Sequence, residues 1–260
     1  METQERILIE DMFGLSLTDI CGGALERLSH NDKERLEEWK KRLKAGEPVQ
    51  YVTGKAPFCG YTFHVAPGVL IPRPETEELV EIIIAKTTGS CNKRHILDVG
   101  TGSGCIAITL ALRGNEVTAW DISDNALRIA KENAVLLNAK VTFEKRDVLQ
   151  RLNSMPTGQW DIIVSNPPYI CKREAAEMEC NVLDYEPHEA LFVPDDQPLL
   201  FYDAIARYGI DNLRDDGMLA FEINPLFAEE LTQQLTLIGY HDIEVRQDFF
   251  GKERFIFCYK

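Results

Sequence analysis

From His95 to Tyr259 the chain alternates short apolar runs with longer segments of helical period. The runs are His95–Val99, Glu116–Trp120, Val141–Lys145, Asp161–Ser165, Met218–Ile223, Ile243–Gln247 and Arg254–Tyr259. Between them, Ile106–Leu112, Asn125–Asn138, Leu199–Leu213 and Leu226–Ile238 repeat apolar residues every three or four positions. Parallel strands need crossovers, and helices supply them, so the pattern predicts an α/β sheet with helices on both faces. The last two runs are joined by a turn around Phe249-Phe250-Gly251-Lys252. That is too short for a crossover and predicts an antiparallel edge.

The first part of the chain reads differently. Ile7-Leu8-Ile9, Met12-Phe13, Ile20, Ala24-Leu25 and Leu28 recur at helical spacing, with Ser16 or Thr18 available as a cap. A third helix is expected from about Asp32 to Ala45, with Leu36, Trp39 and Leu43 on one stripe and Gly46 at its end. Residues 57–72 (PFCGYTFHVAPGVLIP) read as two short strands forming a hairpin link. Pro74 followed by Glu75, Glu77 and Glu78 then starts a helix, because proline and acidic side chains both suit a helix N-terminus.

Charge separates the two parts. Up to Pro74 there are 10 basic and 11 acidic residues; beyond it there are 18 and 31. A formal net charge of −14 is a poor surface for gripping a phosphate backbone. The seven cysteines (Cys21, Cys59, Cys91, Cys105, Cys171, Cys180 and Cys258) are scattered and form no C-x-x-C pair. They read as reduced thiols, and no metal site is assigned. The N-terminus lacks the basic start and apolar core of a secretory signal, and no apolar run approaches membrane-spanning length. A cytoplasmic protein with no membrane partner is expected.

Two loops carry the chemistry. The first strand runs into Gly100-Thr101-Gly102-Ser103-Gly104 and then a helix. Missing side chains let backbone approach a ligand closely, and a helix start offers free N–H groups. The spacing is neither the G-x-G-x-x-G of a dinucleotide fold nor a P-loop, since no Lys-Ser/Thr follows. Asp121 closes the second strand, where a carboxylate can accept from both ribose hydroxyls of a nucleoside. The residues alone leave a second role open, as a helix cap competing with Ser123 and Asp124. The third strand leads to Arg146-Asp147-Val148, where a polar group can either meet an adenine edge or simply lie at the surface.

The fourth strand delivers Asn166-Pro167-Pro168-Tyr169. Two prolines stop the strand and expose carbonyls that no ladder uses. An NH₂ group on a planar, conjugated substrate has two hydrogens and almost no free lone pair. The Asn166 side-chain oxygen and the Pro167 carbonyl could hold both hydrogens, with Tyr169 stacked on the plane. If the first and fourth strands are neighbours, both loops share one crevice at the switch point of the sheet.

Taken together, these motifs resemble an S-adenosylmethionine-dependent methyltransferase acting on a planar amino group. Further stretches resemble the peptide-chain release-factor glutamine methyltransferase family. They are Pro48–Gly54, Val69–Glu77, Tyr185-Glu186-Pro187 with Ala190-Leu191-Phe192, and Gly251–Arg254. The resemblance implies a Rossmann-like seven-stranded methyltransferase sheet (75–260), a small helical N-terminal domain that helps hold the release factor (1–55), and a β-hairpin linker (56–74). It implies methylation of the side-chain amide nitrogen of the glutamine in the Gly-Gly-Gln motif of peptide chain release factors. The expected cofactor is S-adenosyl-L-methionine, leaving as S-adenosyl-L-homocysteine. It implies cofactor contacts at Gly100, Thr101, Gly102, Ser103, Gly104, Asp121, Val148 and Asn166. Substrate contacts fall on Asn166, Pro167, Pro168 and Tyr169, with Asn166, Pro167 and Tyr169 catalytic. Members of the family usually carry one more helix before the segment that resembles Glu5–Gly14, a departure that bears on helical-domain stability and release-factor affinity and not on the chemistry. Arg73, Glu75, Glu77 and Glu186 lie in family motifs without an assigned role. The competing reading is a nucleic-acid amino-group methyltransferase on the same core, which calls for a basic face. No stable nucleic-acid partner is expected from so acidic a chain.

Overall fold

The computed structural model describes residues 3–87, 93–150 and 158–260. Cys91 lies outside them. Four helices come first: α1 (Thr3–Phe13), α2 (Leu17–Cys21), α3 (His30–Lys44) and α4 (Val49–Thr53). Ser16 caps α2 in a reciprocal capping box with Asp19, so Thr18 is not the cap. The third helix begins two residues earlier than its Asn-Asp pair suggested, because Ser29 accepts from the Asp32 amide. Leu8, Ile9, Leu36, Val49 and Val52 bury against one another, giving this region a small core of its own.

Strands β1 (Lys55–Phe58) and β2 (Tyr61–His64) pair antiparallel across Cys59-Gly60. Both turn residues have positive φ, the backbone twist that two-residue hairpins demand. The hairpin is therefore shorter than the 57–72 reading, and residues 65–73 form an irregular segment leading to α5 (Pro74–Thr87).

The alternating region follows in order. It comprises β3 (His95–Val99), α6 (Cys105–Leu112), β4 (Glu116–Asp121), α7 (Asp124–Leu136), β5 (Val141–Lys145) and β6 (Trp160–Ser165). A two-residue strand β7 (Ile170–Cys171), helix α8 (Cys180–Tyr185) and a two-residue strand β8 (Phe192–Val193) come next. The chain ends with α9 (Leu200–Asn212), β9 (Leu213–Glu222), α10 (Ala228–Ile238), β10 (His241–Gln247) and β11 (Glu253–Tyr259).

Seven strands form one sheet in the order β10-β11-β9-β6-β3-β4-β5. The β3–β4, β4–β5, β3–β6 and β6–β9 pairs are parallel; β11 runs antiparallel to both β9 and β10. Neighbouring residues of the central strands enter opposite cores. Ile96, Ile162, Phe255 and Phe257 face Leu79, Ile83 and Ile108 of α5 and α6. Leu97, Ile163 and Ile256 face Tyr202, Ile205, Leu231 and Leu235 of α9 and α10. Burial on both faces explains why these strands read as unbroken apolar runs. Truncating one such side chain, as in Leu97→Ala, costs about 2–5 kcal/mol.

Candidate active site

The sheet order makes β3 and β6 neighbours, and the Ser165 hydroxyl donates to the Val99 carbonyl at 2.6 Å. The glycine loop and the Asn166 tetrapeptide thus leave adjacent strand ends side by side. Their loops border two cavities of about 290 and 300 Å³.

The first cavity lies between Gly100 and Gly102 on one side and Val69, Leu70, Pro187 and Ala190 on the other. Asp121, Val148, Asn166, Pro167 and Pro168 also line it. Asp121 has one oxygen 2.9 Å from the Gly102 amide and the other 2.9 Å from the Ser123 amide. Its carboxyl is held above the ordinary range, chiefly by burial. Ser123, not Asp121, caps α7 by accepting from the Ala126 amide. Asp121 instead ties the glycine loop to the end of β4.

The five loop residues divide by position. A Cβ on Gly100 or Gly102 would meet nothing within 4 Å, so their backbone faces the open cleft, and both have positive φ. Thr101, Ser103 and Gly104 are not in the lining. Thr101 is buried and donates to Asp98 at 2.6 Å. Ser103 is buried, and its carbonyl accepts from Asn133, whose side chain also holds both backbone groups of His64. Gly104 packs so closely that a Cβ would lie 2.9 Å from Ile108 and 3.1 Å from Ala130. These three residues hold the loop from behind.

Asp98 supports the same loop from the strand. One oxygen accepts from Thr101 and from the Ala107 amide in the first turn of α6. The other is buried with no partner among the described residues. Burial pushes this carboxyl up to about 7, with Asp121 adding repulsion. Glycine backbone open to the cleft, a carboxylate at the end of β4 and apolar walls from Val148, Ile122 and Leu149 suit a cationic nucleoside. S-adenosyl-L-methionine fits that description.

The second cavity is lined by Leu70, Arg73, Asn166, Pro167, Tyr169, Met178, Val182, Ala190 and Glu222, among others. Asn166, Pro167, Leu70 and Ala190 line both cavities. No described residue donates to the Asn166 Oδ1 or to the Pro167 carbonyl. Asn166 Nδ2 lies 3.0 Å from Thr76 Oγ1, which lies 2.6 Å from Glu222. Tyr169 donates to the other Glu222 oxygen at 3.0 Å. Burial and the neighbouring carboxylate hold the Tyr169 phenol far above its usual range, so it stays protonated. Asn224 fixes the Tyr169 carbonyl at 3.1 Å and also donates to Glu174.

Arg73 and Glu186 find each other. The Glu186 carboxylate, almost fully buried, accepts from Arg73 at 2.6 Å and from the Ile71 amide at 3.1 Å. This joins the segment before α5 to the loop after α8, and the two together roof the first cavity. Glu75 and Glu77 line neither cavity. Sequence reasoning missed the roof residues Val69 and Leu70, and it missed Thr76 and Glu222. A buried glutamate in an otherwise apolar strand was the available signal for Glu222.

Residues 74–183 match the family model described as methyltransferase small domain, and residues 2–54 match the PrmC N-terminal domain. A solved methyltransferase from Pyrococcus furiosus shares the fold, with TM-score 0.54 and 18% identity, covering 89% of this chain and 99% of that one. Sheet, glycine loop and tetrapeptide define a Rossmann-like, S-adenosylmethionine-dependent methyltransferase. The release factor glutamine methyltransferase of Bacteroides thetaiotaomicron is 48% identical over 95% of this chain and 88% of its own length. That of Flavobacterium psychrophilum is 44% identical over 86% of this chain and 81% of its own. The chain belongs to the release factor glutamine methyltransferase family.

Proposed function

We propose that the protein transfers a methyl group from S-adenosyl-L-methionine to the glutamine side-chain amide nitrogen in the Gly-Gly-Gln motif of peptide chain release factors. The observation that carries this reading is the position of Asn166 and Pro167, which line both cavities at their junction. When bound, the cofactor supplies an electrophilic methyl carbon and leaves as S-adenosyl-L-homocysteine. Gly100, Gly102, Asp121 and Val148 hold it in the first cavity. Asn166 Oδ1 and the Pro167 carbonyl accept the two amide hydrogens, and Tyr169 flanks the carboxamide plane, while Pro168 lines the cofactor side. As the C–N bond forms and the C–S bond breaks, the nitrogen becomes positive. The two acceptors then hold its hydrogens more strongly than in the ground state, which lowers the barrier. The positively charged amide nitrogen is strongly acidic and gives one proton to water afterwards, so a strong base is unnecessary.

The setting is the cytoplasm, where translation terminates, with residues 1–55 helping to dock the release factor. Among the described residues, no helix is long and apolar enough to cross a membrane. A nucleic-acid substrate is disfavoured by charge: Arg73 and Arg146 are the two cationic residues in the two linings, against Asp121, Asp147, Glu179, Glu189 and Glu222. The test supplies labelled S-adenosyl-L-methionine with purified release factor, tRNA, rRNA and DNA in separate reactions. Label is expected on the Gly-Gly-Gln glutamine; label confined to nucleic acid refutes the reading. Asn166→Ala is expected to slow transfer by about 10²–10³-fold while cofactor binding stays measurable.

A further inference from the structure

We infer that Glu222, acting through Thr76, sets which way round the Asn166 side-chain amide lies, and so decides that the pocket presents an acceptor to its substrate. The inference rests on the methyl-transfer reading above and adds two positioning residues to it.

The argument is a count of hydrogens. Thr76 Oγ1 lies 2.6 Å from Glu222 Oε2 and 3.0 Å from Asn166 Nδ2. Thr76 and Glu222 are both buried, so water does not supply alternative partners freely. A hydroxyl has one hydrogen, and an ionised carboxylate has none. Facing ionised Glu222, Thr76 must donate to it and can only accept on its other side. The Asn166 atom beside Thr76 must therefore be the donor Nδ2. That leaves Oδ1 for the substrate, as an NH₂ group requires. Were the amide turned over, Nδ2 would meet the substrate hydrogens and repel them.

Glu222 also takes the single hydrogen of Tyr169, at 3.0 Å. One carboxylate thus fixes the polarity of two pocket walls. The groups facing it are Thr76 and Glu75 from α5, Tyr169 from the tetrapeptide, Arg254 from β11 and the Tyr202 hydroxyl on its backbone carbonyl. Burial pushes the Glu222 carboxyl up, with Glu75 assisting; Thr76, Tyr169 and Arg254 oppose the shift. Protonation reverses the chain: the carboxyl then donates to Thr76, Thr76 donates onward, and Asn166 Oδ1 turns away from the substrate. Activity is expected to fall on the acidic side for this reason.

Three variants test it in the full chain. Thr76→Val keeps the side-chain volume and removes the hydroxyl; Thr76→Ser keeps the hydroxyl. Thr76→Val is expected to lower kcat by about ten-fold or more with KM for S-adenosyl-L-methionine unchanged, because positioning alone is lost. Thr76→Ser is expected to rescue most of that loss. Glu222→Gln is expected to remove the acidic limb of the kcat profile as well as slowing transfer. A second readout needs no substrate: the Asn166 side-chain ¹⁵N resonance, in protein without ligand, is expected to move in Thr76→Val and hold its place in Thr76→Ser. Wild-type kcat in Thr76→Val, or an Asn166 resonance that ignores the hydroxyl, overturns the inference while leaving methyl transfer intact. If the wild type methylated no release factor, the earlier reading would fail, and the resonance would still decide the orientation of Asn166.

Discussion

Glycines of one loop differ in what they do, and the difference is measurable. A methyl group on Gly102 enters open space in the cleft, whereas one on Gly104 collides with Ile108 and Ala130. Both residues have positive φ, which costs an alanine about 1–2 kcal/mol on its own. Gly102→Ala is therefore expected to weaken cofactor binding at small cost in stability. Gly104→Ala is expected to lower Tm further, through overpacking worth about 1–3 kcal/mol more. Calorimetric titration and thermal unfolding separate the two, and equal Tm losses would contradict the assignment. Asp98 gives a second residue-scale prediction. In the unfolded chain it titrates near 3.9; in the folded protein burial raises it to about 7. The folded state thus keeps a proton that the unfolded state has already lost. The associated stability is fully present below the unfolded value and gone once pH rises through the folded value. Asp98→Asn carries no such titration. Wild type is expected to lose on the order of 2–3 kcal/mol relative to Asp98→Asn between pH 5 and pH 7 in the ligand-free protein. Parallel stability curves would show that Asp98 is ionised throughout.

Among the elements, the roof over the cofactor cavity is tied down by Glu186. Its carboxylate serves Arg73 and the Ile71 amide from a nearly water-free position. Glu186→Ala leaves both donors short of a partner. Arg73 is partly exposed and rehydrates, so the expected cost is about 1–3 kcal/mol rather than that of a fully buried pair. The KM for S-adenosyl-L-methionine is expected to rise more than kcat falls, because Val69, Leu70 and Ala190 lose their fixed places. A variant with normal KM would mean that the roof holds without this clamp. The elements themselves were legible where one signal dominated. Strands β3, β6 and β11 are apolar on both faces, and Ser16 caps with a short polar side chain, whereas the Asn-Asp pair masked Ser29 as the cap of α3. The short pieces β7, α8 and β8 were not legible, since two to six residues carry no period.

For the whole molecule, the cores are unequal. The N-terminal helices share five buried apolar residues, while each face of the seven-stranded sheet has its own large cluster. Local opening follows the amount of buried contact. Amides of α1 and α3 are expected to exchange much faster than those of β3 and β6 when followed by mass spectrometry. Equal protection would make the two regions one cooperative unit. The candidate site shows the same division between what chain order carries and what it does not. Gly100–Gly104, Asp121 and Asn166–Tyr169 announce themselves because each sits in a local strand-to-loop context. Thr76 and Glu222 stand 146 positions apart, and Arg73 and Glu186 stand 113 apart.

From its sequence alone, this chain determined its α/β class, its two loops and the chemistry those loops suit. Hydrophobic period and backbone restriction act over a few residues and can be read along the chain. Only the tertiary structure decided that β3 lies beside β6, which loop residues face the cleft, and which buried carboxylates hold Asn166 and the roof in place. Those outcomes depend on strand order and on pairing between distant polar groups. Burial enforces such pairing across space, and no local spacing encodes it.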